Sequence, residues 1–200
     1  MTAIGAAEPS AARKAGDKRE AILAAALALF VERGFHGTAV PELAERAGVG
    51  AGTIYRYFAS KEALVNELYR IQKLRFGQIA TDDFPATAPT REQFRVLWMR
   101  MVRFAIEDPQ AIVFLELHHH QRYLDDDSRA VEQRMTELFT RVVTAAQARG
   151  ELKRGDPRVL MGLVMGGFIG VLRGCIEHDR PLAGADWALA EQCMWEAIRA

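Results

Sequence analysis

The chain has 200 residues and carries 26 basic and 26 acidic side chains, so its formal net charge at neutral pH is zero. A neutral chain lacks the overall positive field that attracts a polyanion, and any binding to nucleic acid must rest on local charge placement. No uninterrupted apolar run reaches the roughly 18 residues of a membrane span. The first residues also lack the apolar core of a secretory signal, so we expect a cytoplasmic protein that does not enter a membrane.

The N-terminal residues predict an arm followed by a helix. Residues 1–16 are small and polar, and we expect a disordered arm whose end Arg13 and Lys14 make basic. From Asp17 the apolar residues recur at helical spacing as far as Gly34. Asp17 is expected to cap this helix and Gly34 to end it. The predicted division of the chain is an arm at 1–16, a first helical domain at 17–62 and a second at 63–200.

Two short helices joined by the sequence AGVGAG follow the first helix. Thr38 is expected to cap the second helix, and Gly48 is expected to end it. The third helix is expected to begin near Gly50 and to place Ile54 and Phe58 on one inward face, because they lie four residues apart. Its other face remains free to enter a major groove, so the pattern predicts a helix-turn-helix unit.

The remaining sequence predicts helices only. Ser60 is expected to cap a fourth helix, and the segment DDFPATAP at 82–89 reads as a break between two helical regions. Strand-like alternation is not found along the chain. We therefore predict an all-α fold of about nine helices, with an N-terminal three-helix helix-turn-helix domain and a C-terminal helical domain that binds a ligand and dimerises.

Residues 38–64, TAVPELAERAGVGAGTIYRYFASKEAL, resemble the DNA-binding signature of the tetracycline-repressor (TetR) family of bacterial transcription regulators. The resemblance extends over residues 18–70, and the segments LAxxAGV, GTIYRYF and SKEAL stand in register. It implies a homodimer whose partner is a double-stranded DNA operator. It also implies a protein that is not an enzyme and needs neither a cofactor nor a metal.

The resemblance implies contacts to DNA from eight residues. Phosphates would be contacted by Thr38, Tyr55, Tyr57 and Lys61, and base edges would be faced by Ala51, Gly52, Thr53 and Arg56. Phosphate contacts set register and affinity, whereas base contacts carry sequence choice. Arg56 is the one strong base reader, and guanine is its usual partner. The alternative is that the two tyrosines and Phe58 form only a helix-packing cluster.

Charge within this region is also nearly balanced. Residues 1–60 contain seven basic and six acidic side chains, for a net charge of +1. A domain that bound DNA by bulk charge would be far more basic. We therefore expect binding to depend on the placement of a few side chains and on dimerisation.

Four glycines recur at every fourth position in GLVMGGFIGVLRG, residues 162–174: Gly162, Gly166, Gly170 and Gly174. Glycine in a helix costs up to about 1 kcal/mol relative to alanine, so a close approach of helices is expected to offset this cost. The resemblance implies that the last two helices form the dimer interface. Packing of the same stripe within one chain is the alternative.

A pocket for a small apolar or aromatic effector is expected among the middle helices. Its candidate wall comprises Trp98, Met101, Phe104, Phe114, Leu117, His118, Phe139, Val142 and Phe168. Occupation of this pocket would change the spacing of two DNA-binding heads by shifting a population of conformations. The leading hypothesis is a repressor that an apolar effector releases from a palindromic operator.

The segment HHHQRYLDDDSR, residues 118–129, allows a second hypothesis. Adjacent helical side chains point about 100° apart, so the three histidines cannot all bind one metal ion. His120 and Asp125 match an H-x4-D acyltransferase pattern, and the alternative function is a small α-helical enzyme that uses this pair. The competing interpretation is a helix end followed by aspartates that cap the next helix.

Overall fold

A computed structural model describes residues 11–117, 122–178 and 183–200, without the side chains of residues 11–15 and of Leu117. These ranges contain nine helices: α1 (Ala11–Arg33), α2 (Val40–Arg46), α3 (Ala51–Tyr57), α4 (Lys61–Thr81), α5 (Thr90–Glu107), α6 (Pro109–Leu117), α7 (Asp126–Ala148), α8 (Pro157–Glu177) and α9 (Gly184–Ile198). The β-type pairing within them is a single isolated bridge between Leu152 and Arg199. The predicted all-α fold is confirmed.

Helix α1 begins at Ala11, six residues before the predicted start. Asp17 therefore lies inside the helix, and the predicted cap at Asp17 is wrong. Residues 11–16, which were predicted to belong to a disordered arm, lie within this alanine-rich helix as the structure describes it. Residues 1–10 lie outside the described ranges. The predicted end at Gly34 is confirmed, since Gly34 has a φ of +70° and its amide donates to the Phe30 carbonyl.

Helices α1, α2 and α3 pack into a small N-terminal unit, which we call the head. Ile54 and Phe58 are 3% and 5% exposed, so the predicted inward face of α3 is confirmed. Gly48 has a φ of +65°, a left-handed conformation that favours glycine. A Cβ atom at Gly50 or Gly52 would meet no close neighbour, so the structure does not need glycine there.

Helix α4 joins the head to the remaining helices, which we call the body. Ser60 accepts a hydrogen bond from the Ala63 amide at 3.1 Å, so the predicted cap is confirmed. The helix packs against α1 in the head and against α5, α6 and α7 in the body. The predicted domain boundary after residue 62 falls in the first turn of α4, so the two units share a continuous helix.

The amide side chain of Asn66 ties residues 123–125, the end of the loop before α7, to α4. Asn66 is 2% exposed, and its Nδ2 donates to the carbonyl oxygens of Tyr123 at 2.7 Å and of Glu62 at 2.9 Å. Its Oδ1 accepts from the backbone amide of Asp125 at 2.8 Å. Because buried polar groups without partners are costly, this arrangement fixes the position of the loop.

Helix α8 is the most apolar long helix of the described ranges. By length and composition it is long enough to cross a membrane, with a mean hydropathy of 2.0 and 17% of its most apolar window buried. It packs against α7 and α9. Its opposite side faces outward, and Val159 and Leu163 are exposed there. The helix is therefore buried on the side that packs against α7 and α9 and exposed on the other side.

Replacing Asn66 with alanine is expected to lower the free energy of unfolding by about 1–3 kcal/mol, because two carbonyl groups and one amide lose their buried partner. Urea denaturation at fixed protein concentration measures the change. Gln78→Ala removes an exposed amide from the same helix and is the matched control. Equal stability of the two variants would contradict the role assigned to Asn66.

Candidate nucleic-acid interface and ligand cavity

The outer face of α3 carries four exposed residues, namely Ala51, Gly52, Tyr55 and Arg56, and Thr53 is half-buried beside them. Tyr55 is 56% exposed. Among the described residues, neither the Arg56 guanidinium nor the Tyr55 hydroxyl has a hydrogen bond or an ion pair. Polar groups held on a short helix without internal partners are available to bind a molecule outside the chain.

Tyr57 differs from Tyr55 in its surroundings. Its ring is half-buried and packs against the core of the head. The helix-packing interpretation therefore holds for the Tyr57 ring and for Phe58, whereas Tyr55 and Arg56 lie outside that cluster.

The structure contradicts the role predicted for Thr38. Thr38 is 1% exposed, and its hydroxyl donates to the Gly34 carbonyl oxygen at 2.8 Å, with the Leu29 carbonyl oxygen at 3.2 Å. A hydroxyl used inside the head cannot also contact a phosphate. The N-cap of α2 is Ala39, which has no capping side chain, so the predicted cap at Thr38 is wrong as well.

Lys61 also has an internal role that the sequence did not predict. Its ammonium donates to the carbonyl oxygens of Phe35 at 2.8 Å and of Thr38 at 2.9 Å, and it lies 4.3 Å from the centre of the Phe35 ring. The predicted phosphate contact is therefore not supported by the direction of this side chain. The lysine instead fastens the first turn of α4 to the loop between α1 and α2, with hydrogen bonds and a cation–π contact.

The loop between α1 and α2 also contacts the body through aromatic rings. The ring of Tyr123 stacks on that of Phe35 with 4.1 Å between centroids. The Tyr123 hydroxyl and the Nε2 atom of His36 are 2.6 Å apart. A Cβ atom at Gly37 would collide with the Arg33 carbonyl oxygen, so the loop requires glycine there. The sequence gives no sign of these contacts, since Tyr123 lies far from the loop along the chain.

Ion pairs neutralise the other arginines of the head. Arg46 binds Glu32, Arg33 binds Glu42 at 2.8 Å, and Arg19 binds Glu67 of α4. The hydrogen bond from Arg46 lowers the pKa of Glu32 below its ordinary value, so this carboxylate stays ionised at neutral pH. Among arginines of the head with described side chains, Arg56 is the one without an acidic partner.

A cavity of about 140 Å³ lies between α4, α5, α7, α8 and α9. Four predicted wall residues line it: Trp98, Met101, Phe139 and Val142. The other described residues at its wall are Phe76, Phe84, Thr90, Gln93, Phe94, Leu97, Val143, Ala146, Leu152, Leu160, Met161, Val164, Met165, Trp195 and Ile198. The contribution of α9 was not predicted, because the helical spacing of Trp195 and Ile198 is that of any core residue.

Three predicted wall residues belong instead to the solid core. Phe104, Phe114 and Phe168 are each fully buried and do not line the cavity. Their assignment to the pocket is wrong, because apolar periodicity marks an inward face and does not distinguish a filled space from an open one. The Leu117 side chain and His118, which were also predicted to line the pocket, lie outside what the structure describes.

The glycine stripe of α8 faces outward. Gly162, Gly166 and Gly170 are exposed, and a Cβ atom at any of them or at the half-buried Gly174 would meet no described heavy atom within 4 Å. The alternative that this stripe packs within one chain is therefore wrong. Gly167, which lies outside the stripe, is the glycine of α8 that packs against another helix of the chain. A Cβ atom there would collide with Met194 of α9.

Asp125, the first aspartate after the histidine run, has a structural role. Asp125 is the N-cap of α7, and its carboxylate accepts from the Ser128 amide at 2.8 Å and pairs with Arg70 at 3.0 Å. Burial works to raise the pKa of Asp125, but the bonds to Ser128 and Arg70 outweigh it and lower the pKa. A carboxylate held in this way is not free to act with His120, which lies outside the described ranges. The capping interpretation of Asp125 is confirmed.

Comparisons with known proteins assign both units. Residues 22–68 match the family model described as bacterial regulatory proteins, tetR family. Residues 70–200 match the model described as tetracyclin repressor-like, C-terminal domain. The two matches meet in α4, the helix that connects head and body.

Individual relatives agree with this assignment. The transcriptional repressor BepR of Brucella suis is 30% identical over 174 residues, which span 78% of this chain and 80% of the relative. A putative tetR family regulator from Shewanella sp. PV-4 superposes with a TM-score of 0.79 at 25% identity, covering 92% of this chain and 98% of that one. The regulator FadR of Bacillus subtilis, solved in complex with stearoyl-CoA, shares the fold with a TM-score of 0.68 at 23% identity, over 88% and 95% of the two chains. With the helix-turn-helix geometry of the head, these matches show that the chain belongs to the TetR family of bacterial transcriptional regulators.

Proposed function

We propose that this regulator is a repressor that binds a palindromic operator as a homodimer and leaves it when a small apolar effector occupies the cavity. The observation that carries the proposal is the outer face of α3, where Arg56 and Tyr55 stand exposed without partners among the described residues. The repressor BepR, whose sequence matches most of this chain, supports repression as the direction of regulation. DNA is found in the cytoplasm of a bacterium, and we place the protein there.

On DNA, the proposed base readers are Arg56 and Thr53, with Ala51 and Gly52 allowing the helix to approach closely. An arginine that makes two hydrogen bonds to guanine is the commonest specific contact in a major groove. The exposed hydroxyl of Tyr55 is suited to donate to a phosphate, and the half-buried Tyr57 supplies a second hydroxyl from a fixed ring.

The dimer contact is proposed to run along the exposed side of α8 with α9 beside it. The stripe of Gly162, Gly166 and Gly170 lets a second helix approach the backbone, and the exposed side chain of Leu163 adjoins it. Leu189 contributes an exposed apolar side chain from α9. Burial of this surface against a second copy accounts for the low burial of α8 within one chain. Two heads related by a two-fold axis would address half-sites about 34–36 Å apart.

Helix α4 is proposed to carry the effector signal. Its Phe76 lines the cavity, and Arg100 of α5 donates to the Ala80 carbonyl oxygen at the end of the helix at 3.0 Å. Its first turn is fastened to the head by Lys61. A ligand that displaces Phe76 would move α4 and with it α3. Coupling of this kind between two sites typically amounts to about 1–3 kcal/mol.

The Arg56→Ala variant is expected to bind the operator about 1–3 kcal/mol more weakly than the parent, because a bidentate contact to a base is lost. Its affinity for unrelated DNA is expected to stay close to that of the parent. Fluorescence anisotropy measures both affinities, with the operator obtained by selection from a random DNA library.

Arg154→Ala is the matched control, because it removes the same charge from an exposed turn remote from α3. An operator affinity that falls equally in the two variants would show that charge, and not placement on α3, is what DNA recognises. A chain that selects no sequence from the library at physiological salt would contradict the proposed function itself.

Gly166→Glu is expected to convert the dimer into a monomer. The new side chain meets no described atom within the chain, so the fold is retained, whereas two carboxylates would be buried across the two-fold axis without partners. Sedimentation velocity measures the oligomeric state. Ala145→Glu places the same charge on an exposed position of α7 and is the control. Unchanged dimerisation of Gly166→Glu would exclude α8 as the interface.

A further inference from the structure

The polar side chains at the wall of the cavity are already occupied. Among the described lining residues, Thr90 carries a hydroxyl group and Gln93 carries a side-chain amide. Gln93 Nε2 donates to the carbonyl oxygens of Ala86 at 3.0 Å and of Ala88 at 2.8 Å. The Thr90 hydroxyl donates to a carboxylate oxygen of Glu151. The donors of both side chains therefore point away from an incoming ligand.

The described charged groups nearest this end of the cavity are paired with each other. Arg149 donates to the Thr90 oxygen at 2.7 Å and to Glu151 at 3.1 Å, so its guanidinium is engaged by the chain itself. The Thr90 hydroxyl and then Arg149 lower the pKa of Glu151, which is therefore anionic at neutral pH. A ligand carboxylate beside Thr90 would therefore meet an ion pair of no net charge, and it would lose its water without gaining a free cation.

The remaining wall offers little compensation to a charged group. Trp98 Nε1 donates to the Trp187 carbonyl oxygen at 3.2 Å. The indole N–H of Trp195 is a single neutral donor, and one neutral hydrogen bond does not offset the removal of a carboxylate from water. Rings and aliphatic chains form the rest of the described lining.

The volume of the cavity in this structure corresponds to a ligand of about one ring. About 140 Å³ is close to the 150 Å³ of an engineered apolar cavity that stays dry and binds benzene. Met101, Met161 and Met165 line the space with flexible thioether chains that can adjust to one added methyl or ethyl group. The ring of Phe94 lies 5.6 Å from that of Trp195, which provides an aromatic surface for a planar ligand.

We propose that this cavity binds an uncharged hydrocarbon-like molecule of the size of one substituted aromatic ring, and that it rejects a ligand whose carboxylate must enter it. The proposal deepens the proposed function, on which it rests for the identification of the cavity as the effector site. It distinguishes this chain from its structural neighbour that was solved with stearoyl-CoA, whose acyl chain is far longer than one ring.

Toluene and benzoate test the proposal directly, because they share a ring and differ in a methyl or a carboxylate group. Isothermal titration calorimetry of the full chain, without DNA, is expected to detect saturable binding of toluene. Benzoate is expected to bind at least about 100-fold more weakly, since its charge loses water and gains at most one neutral hydrogen bond. Equal affinity for the two compounds, or no binding of toluene, would overturn the proposal.

Variants whose larger side chains fill the cavity test whether toluene binds there. Ala146→Leu places added methylene groups in the cavity and is expected to weaken toluene binding by about tenfold or more. Ala148→Leu changes an exposed position of the same helix and should bind like the parent. Val142→Phe fills the cavity from a half-buried position and provides a second variant if Ala146→Leu does not fold. Undiminished binding in the folded filled variants would overturn the assignment to this cavity.

Stearoyl-CoA is the third probe. Binding of stearoyl-CoA more tightly than toluene, with loss in the filled variants, would show that the cavity opens for a long acyl chain and would overturn the proposed ligand class. Operator affinity measured with and without toluene separates the two proposals. Toluene that binds in the cavity and leaves operator affinity unchanged supports the ligand class and contradicts the effector role in the proposed function.

Discussion

The buried amide of Asn66 holds the end of the α6–α7 loop on α4, the helix that runs from the head into the body. It satisfies backbone groups of the α6–α7 loop from within α4, and Arg70 one turn later binds Asp125 and Glu67. Hydrogen bonds in such a poorly solvated place have strict geometry, because a displaced partner leaves a polar group without water. The end of the loop is therefore held on α4. Its Tyr123 in turn contacts Phe35 and His36 of the head.

Local features of this fold could be predicted from the sequence, and long-range features could not. The cap at Ser60, the end of α1 at Gly34 and the inward side chain of Ile54 depend on neighbours within a few residues. Lys61 and Thr38 were assigned to the DNA surface because a motif places residues in register without showing their direction. Their actual partners are carbonyl groups that only the turn after α1 brings within reach.

The cavity illustrates the same limit. Met101 and Phe104 both lie on the apolar face of α5, yet Met101 borders open space and Phe104 is enclosed by neighbouring side chains. Which of two such residues touches a cavity depends on how five helices meet, and helical spacing carries no information about that. The outward stripe of α8 was recognisable, because four glycines at equal spacing conflict with helix propensity and require another explanation.

Compounds that suit the wall beside Trp98 and Trp195 also dissolve in lipid, because transfer of apolar surface out of water drives both processes. A molecule of that kind crosses a bilayer without a permease, so its concentration inside a cell would follow its concentration outside. A regulator with such a wall would sense its surroundings by simple partitioning, with a response that follows the oil–water distribution of the compound.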